Sequence, residues 1–458
     1  MTRKYKGKKI LVVGLGVSGV AAANLLLRLG AEVAGADMKS KNELKESISK
    51  ITKKITIIGN YKDNPVSESQ LKKYSMVLAS PGVPPDDRLL KMAREAGVEI
   101  KGELELGCEL MPEGKRIIAV TGTNGKTTTV ELIRRVLSSR KGRRIISCGN
   151  IGQAVTGCVR KITAMTDVVI EASSYQLETI RKFRPFISAI LNISPDHIEH
   201  HGTMKNYVEA KARIFENQAV DDVCILNADD KYTPVLLKRA GCRKLMFSST
   251  RALKKGIYLK DNNIICDTGF TRTSRYDLSE GFIKIPGRHN IENVMVTIAA
   301  ADILGMDSRQ IKKAINRFNG VEHRLEHVRS VKGITFINDS KSTNVLSCSV
   351  AIDAYKGDIL LLMGGRDKGA PYTPLREKIK QKVKALVIYG EAAPLIKKDL
   401  KATTRLYETG CVKEAVELSY GLAKRGDTVL FSPACASFDQ FRNYEHRGKV
   451  FKKWVREL

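Results

Sequence analysis

Residues Arg116-Ile-Ile-Ala-Val-Thr-Gly-Thr-Asn-Gly-Lys-Thr-Thr128 run from a short β-branched stretch through two glycines into a helix-forming segment. Strand, glycine turn and helix in that order make a cradle for phosphate. Gly122 and Gly125 let backbone N–H groups face an anion without Cβ interference, Lys126 reaches the β and γ oxygens of a triphosphate, and the Thr127 hydroxyl holds Mg²⁺. Thr123, Asn124 and Thr128 complete the turn, and the helix N-terminus adds its positive dipole end. The common form of this motif has a glycine six residues before the lysine. Val120 stands there, so the turn is a shorter variant.

Such a cradle belongs at the carboxyl end of a strand in an open α/β sheet, and the flanking sequence alternates accordingly. Towards the N-terminus, Lys9-Ile-Leu-Val-Val-Gly-Leu-Gly-Val-Ser-Gly19 leads to a helix near residues 18–29 and a second strand, Glu32–Asp37. Gly14, Gly16 and Gly19 with Ser18 between them, and Asp37 at the next strand's end, match the dinucleotide fingerprint; a tight βα packing turn is the plainer alternative. A strand over Met76-Val-Leu-Ala79 ends at Ser80-Pro-Gly82. Towards the C-terminus, Asp167-Val-Val-Ile-Glu171 ends in a carboxylate, and Ser188–Ile193 reads as a strand that leads to Asp196-His197. Beyond residue 320, strands at Ile334–Ile337, Ile359–Met363 and Thr428–Phe431 deliver Asn338–Asn344, Gly364–Gly369 and Ser432–Phe441. The expected fold is therefore α/β, with three domains at 1–111, 112–320 and 321–458, each an open, mostly parallel sheet with helices. Two rims facing one another would form a cleft of the kind that holds active sites.

Composition narrows the class. A chain of 458 residues exceeds a single ordinary core, and 43% hydrophobic content is globular. Neither a ~20-residue apolar run nor an apolar leader after Met1-Thr-Arg-Lys is visible, so a soluble intracellular protein is expected. Nine scattered cysteines without metal-like spacing suit reduced thiols and the cytoplasm. Basic residues exceed acidic ones by 78 − 49 = 29, but aromatics are only 6%, which leaves little material for stacking bases. Steering of anionic small substrates is the expected use, without nucleic-acid partners, and the chain is expected to act as a monomer.

Three further residues carry chemistry. Glu171 follows an apolar strand one βα unit after the cradle and suits an acid that holds the metal on nucleotide phosphates; a solvent-facing strand end is the alternative. His197, in Asp196-His-Ile-Glu-His-His201, can ligate a metal or orient substrate, although the three histidines lack zinc-motif spacing. His200 and His201 read as solvated or supporting residues. Lys211, on the partly apolar face between Tyr207 and Phe215, must snorkel, pair, or lose its charge, and residue type alone favours the first two.

Taken together, Gly122–Thr128, Asn150-Ile-Gly152, Glu171-Ala-Ser-Ser-Tyr-Gln176, Asp196-His197, Lys211, His289-Asn290 and His323-Arg324 resemble the Mur ligase family of ATP-dependent amide-forming enzymes, over all three segments. Within it, Asn338–Asn344 and Ser432–Phe441 resemble the branch that adds D-glutamate to UDP-N-acetylmuramoyl-L-alanine. The resemblance implies a Rossmann-like UDP-sugar domain, a central ATPase-like domain and a Rossmann-like domain for the amino acid. It implies that Lys126 neutralises the γ-phosphate, that Thr127 and Glu171 hold one Mg²⁺, and that Lys211, carbamylated by CO₂, serves a second with His197. Asn290, Asn293, Arg324 and Asp339 match positions around adenine, ribose and phosphates. Gly14, Gly16, Ser18, Gly19, Asp37, Ser80 and Gly82 would receive the uridine diphosphate in place of a redox cofactor, with Met38 where relatives often carry a hydroxyl. Asn150 and Gln176 match positions on the muramoyl group, and Thr343, Lys368, Ser437 and Phe438 match the D-glutamate pocket. Another amide ligase of the same superfamily and a nicotinamide oxidoreductase are the competing readings.

Overall fold

Strands buried on both faces need apolar side chains at successive positions, and the first sheet shows where each goes. Ile10 and Val12 enter one core, with Leu26 and Leu78, while Leu11 and Val13 enter another, with Leu71 and Val77. The computed structural model describes residues 4–63, 66–150, 152–279 and 281–458; Met1, Thr2 and Arg3 of the opening and Ile151 of the Asn150–Gly152 string lie outside the described residues. Among the described residues the strands form three sheets. The first comprises β1 (Lys9–Val13), β2 (Glu32–Asp37), β3 (Thr56–Gly59), β4 (Met76–Ala79) and β5 (Glu99–Gly102) in the parallel order β3-β2-β1-β4-β5.

The second holds β6 (Arg116–Thr121), β7 (Arg144–Gly149), β8 (Thr166–Glu171), β9 (Ile187–Ile190), β10 (Val223–Asn227), β11 (Arg243–Ser248), β12 (Gly256–Lys260), β13 (Asn263–Asp267) and β14 (Ser274–Asp277), ordered β14-β13-β12-β11-β10-β9-β6-β8-β7. It is parallel from β7 to β12, and β13 and β14 extend it as antiparallel hairpins. The third consists of β15 (Glu326–Val331), β16 (Ile334–Asn338), β17 (Ile359–Gly364), β18 (Val383–Tyr389), β19 (Arg405–Thr409) and β20 (Thr428–Ala434), ordered β15-β16-β20-β17-β18-β19 with only β15 antiparallel. Here too the residues alternate: Leu361 and Met363 face one core, Leu360 and Leu362 the other.

The chain divides into two compact units. One comprises residues through Ser279 together with Glu292–Ile315, and the other Asn316–Leu458 together with the segment ending at Ile291. Within the first unit, the helix Glu103–Glu109 fastens the first sheet to the second through two buried carboxylates. Glu105 accepts the backbone N–H groups of Arg181, Lys182 and Phe183 at 3.0, 2.9 and 3.0 Å, which satisfies donors that burial would otherwise orphan. Glu103 Oε1 accepts the N–H and hydroxyl of Thr156 at 2.6 and 2.7 Å, while its Oε2 has no hydrogen-bond partner among the described residues. No helix among the described residues is long and apolar enough to cross a membrane, and all nine cysteines are free.

Burial raises the Glu103 pKa against the two bonds from Thr156. A carboxyl raised in the folded state stabilises most when protonated, below its unfolded value, and loses that contribution as pH rises towards the folded value. Urea unfolding of wild type and Glu103→Gln across this window should therefore diverge, with wild type falling relative to the variant by up to about 1.4 kcal/mol per pH unit. Parallel stability curves would contradict an ionisable, desolvated Glu103.

Candidate active site

β6 ends at Thr121, the chain turns through Gly122–Gly125, and the helix Lys126–Leu137 follows at once. Val120 is fully buried and still in β6, paired with Glu171 and Ala189. The missing leading glycine is thus a strand position, and the turn proper begins at Gly122. Gly125 has φ +84°, and a Cβ there would lie 2.5 Å from Asn293 Oδ1, so both backbone and space demand glycine. The turn is braced from outside. Asn124 donates its N–H to Asn192 Oδ1 at 2.9 Å, and the Thr123 hydroxyl joins Ser194 and the Tyr207 hydroxyl. Asn293 Oδ1 accepts the Thr129 hydroxyl at 3.0 Å, and Thr127 and Thr128 are buried.

Lys126 folds back over the turn and donates to the carbonyls of Gly122 and Thr123 at 2.8 and 2.9 Å. Lys211, in the helix Met204–Ala212, donates to the same Gly122 carbonyl at 3.1 Å. It does not snorkel, and it forms no ion pair among the described residues. The residue is 2% exposed, its amine 4.5 Å from the Tyr207 ring centroid. Burial, then the Lys126 charge, holds its pKa well below the ordinary lysine value, with Asp196 opposing.

Glu171 ends β8 on the strand beside the turn. It is buried and accepts the Asn150 side-chain amide at 3.0 Å. His197 caps a one-turn helix, Ile198–His201, at φ +55°. Burial lowers its pKa, against Asp196 and Glu199. The strand expected through Ile193 ends at Ile190, because Leu191 and Asn192 turn aside to meet the glycine turn at Gly122 and Thr123. His201 is not solvated: it is buried, with Nε2 2.9 Å from the Ser174 hydroxyl and Nδ1 2.9 Å from Glu178. His200 is largely covered and also meets Glu178.

A second cavity, of about 300 Å³, gathers Gly14, Gly16, Ser18, Asp37, Ser80, Gly82, Asn150 and Gln176. That is at the small end of ligand pockets. Gly19 lies beneath it, where a Cβ would sit 1.9 Å from the Gly14 carbonyl; the helix can approach the turn only through glycine. Asp37 accepts the N–H groups of Leu15 and Lys39 at 2.7 and 3.0 Å, which fastens the glycine turn from the next strand. Met38 lines the same cavity, together with Val17, Tyr61, Pro81 and Val83. Tyr61 escaped the sequence reading, although it stands just past β3, at the same sheet edge as Asp37.

In the other unit, Asn290 is buried and donates to the Pro286 carbonyl at 2.6 Å. Neighbouring His289 is pushed down to about 4 by burial, then by Arg324. Asp339 accepts the Ser432 hydroxyl at 2.9 Å and the Leu325 N–H at 3.2 Å, and burial lifts it to about 7. Thr343 and Lys368 meet at 3.4 Å. Ser437 is buried, whereas Phe438 is 61% exposed. One residue missed from sequence ties these loops. Arg447, fully buried in the helix Tyr444–Glu457, donates to Ser340 O at 2.8 Å, to Cys435 O and Ala436 O at 3.1 Å, and to Gly364 O at 3.4 Å. The available signal was a basic residue on the apolar stripe of Phe451 and Val455.

Three family signatures match in chain order: the Mur ligase MurD-like N-terminal domain at residues 8–102, the Mur ligase middle domain at 120–301, and the Mur ligase glutamate ligase domain at 323–435. A protein of Thermoanaerobacter pseudethanolicus named UDP-N-acetylmuramoylalanine--D-glutamate ligase is 41% identical, covering 99% of each chain. One of the same name from Koribacter versatilis is 39% identical over 99% of this chain and 98% of its own. The fold is also that of UDP-N-acetylmuramate-alanine ligase MurC from Thermotoga maritima, at 19% identity and a TM-score of 0.60 over 98% of this chain and 99% of that one. With signatures along its length and relatives of this identity end to end, the chain belongs to the Mur ligase family.

Proposed function

We propose that the chain is an ATP-dependent ligase that adds D-glutamate to UDP-N-acetylmuramoyl-L-alanine in peptidoglycan precursor synthesis, acting as a cytoplasmic monomer. The observation that carries the reading is the convergence of the Lys126 and Lys211 nitrogens on the Gly122 carbonyl, in a chain similar throughout to proteins named for this activity. Residues 1–111 take the UDP-sugar, 112–320 the ATP and 321–458 the amino acid.

The donor set suits the groups implied. The Thr127 hydroxyl and Glu171 carboxylate are hard oxygen donors for one Mg²⁺, and His197 with a carbamylated Lys211 would hold another. Bound ATP supplies the phosphoryl group that converts the substrate carboxylate to an acyl phosphate, and Mg²⁺ offsets the repulsion between the two anions. Lys126 exchanges its two carbonyl acceptors for γ-phosphate oxygens, while Gly122–Thr128 cradle the chain of phosphates. Lys211, with its amine favoured in the neutral form, adds to CO₂; the N–C bond forms, one proton leaves, and a buried neutral amine becomes an anion. Asn290, Asn293, Arg324 and Asp339 receive the rest of the nucleotide. The first-sheet cavity takes the uridine diphosphate, with Asp37 near the uracil, and Asn150 and Gln176 take the muramoyl group. Thr343, Lys368, Ser437 and Phe438 orient D-glutamate, whose amine attacks the acyl carbonyl and releases phosphate.

ADP release in the presence of UDP-N-acetylmuramoyl-L-alanine is expected with D-glutamate; release with L-alanine or a diamino acid and none with D-glutamate would sink the assignment. Lys126→Ala should lose at least about 100-fold in turnover. Lys211→Ala should lose as much but recover partly in added acetate or formate, and full activity without either would remove the carbamate role. Arg447→Lys keeps the charge but not the five-donor fork, so KM for D-glutamate should rise about tenfold with KM for ATP within about twofold. An equal rise in both constants would count against a loop-positioning role.

A further inference from the structure

The chain carries a set of metal-type donors outside the residues assigned above. Glu178 follows the short helix Ser174–Leu177, and His200 and His201 end the one-turn helix Ile198–His201. The two imidazoles reach the same carboxylate from different nitrogens: His200 Nε2 lies 2.9 Å from one Glu178 oxygen, and His201 Nδ1 lies 2.9 Å from the other. All three ligand atoms fall within 4.8 Å of one another, whereas neighbouring ligands on a tetrahedral zinc stand ~3.3 Å apart. We infer that Glu178, His200 and His201 form a binding site for Zn²⁺ or a similar d-block dication, separate from the His197 and Lys211 pair; the inference does not depend on the ligase reading.

Two imidazoles and a carboxylate match zinc in type and number, leaving the fourth position to water. The proton inventory closes without any further reactant. In the hydrogen-bonded arrangement the carboxylate accepts from His200 Nε2–H and His201 Nδ1–H. When the metal takes His200 Nε2 and His201 Nδ1, each ring shifts its proton to its other nitrogen, to Nδ1 in His200 and to Nε2 in His201, where the Ser174 hydroxyl, 2.9 Å away, accepts it as readily as it now donates. Supporting contacts surround the set. The Arg213 guanidinium donates to the Glu178 carbonyl, and the Tyr175 ring packs on His200 with centroids 4.0 Å apart. The side chains of Glu178, His200 and His201 are 21%, 9% and 1% exposed, so the site opens to solvent on its Glu178 side for metal entry and a ligand water.

The test is calorimetric titration of the chelator-treated full chain with Zn²⁺ in excess Mg²⁺, with Co²⁺ absorption as a second readout. We expect one Zn²⁺ per chain and intense Co²⁺ d–d bands of four-coordinate type. Affinity should fall more than about tenfold in Glu178→Gln and in His200→Ala, and hold in His197→Ala. His200 is the less buried of the two imidazoles, at 9% exposed against 1% for His201, and a thermal melt of each variant checks that its fold is kept. Unchanged affinity in both Glu178→Gln and His200→Ala, loss of binding in His197→Ala, or no stoichiometric uptake by wild type would each overturn the site and leave Glu178 as a hydrogen-bonding clamp.

Discussion

Gly122 O accepts hydrogen bonds from two lysine side chains, Lys126 at 2.8 Å and Lys211 at 3.1 Å. Two nitrogens on one oxygen stand no more than about 6 Å apart, where two full charges would repel by about 3 kcal/mol or more at an effective dielectric near 20. Lys126 is only partly buried. Lys211, enclosed among Tyr207 and the turn, is the one driven towards neutrality, so an unusual amine stands beside the glycine turn. The surrounding structure serves this contact. Asn124 and Thr123 lock the turn to the chain leaving β9, and Glu171 is placed beside it by the register of β8 on β6.

That β6 leads into a glycine turn, that β1, β2 and β4 end at Gly14, Asp37 and Ser80, and that Glu171 closes β8 were all legible, because these features are local. Apolar runs give the strands, and the polar or glycine residues that follow mark their ends. What stayed hidden depends on partners remote in sequence. Glu103 and Glu105 look like ordinary acids of a helix start, yet they bridge to Thr156 and Arg181–Phe183. The sequence leaves His201 as either solvated or supporting, because the partners that decide between the two, Ser174 and Glu178, arrive from another element. Residue type misled at Lys211 for the same reason: a lysine on a half-apolar helix usually reaches water, and here the phosphate turn covers the exit. Strand β9 ran shorter than its apolar sequence because Leu191 and Asn192 have a second task against Gly122 and Thr123.

Arg447 carries a consequence for the order in which the protein is made. The loops it joins begin at Ser340, Gly364 and Cys435, and the guanidinium that bonds to all three is translated after each of them. Gly364 precedes it by 83 residues, which at about 5–20 residues per second of synthesis is an interval of about 4 to 17 s. During that time β17, β18 and β19 can pair with one another, while β20, which joins them to β16, follows only at Thr428–Ala434. The loops of this rim are therefore joined only after the helix Tyr444–Glu457 has been made, and chains stalled before it would leave them unjoined.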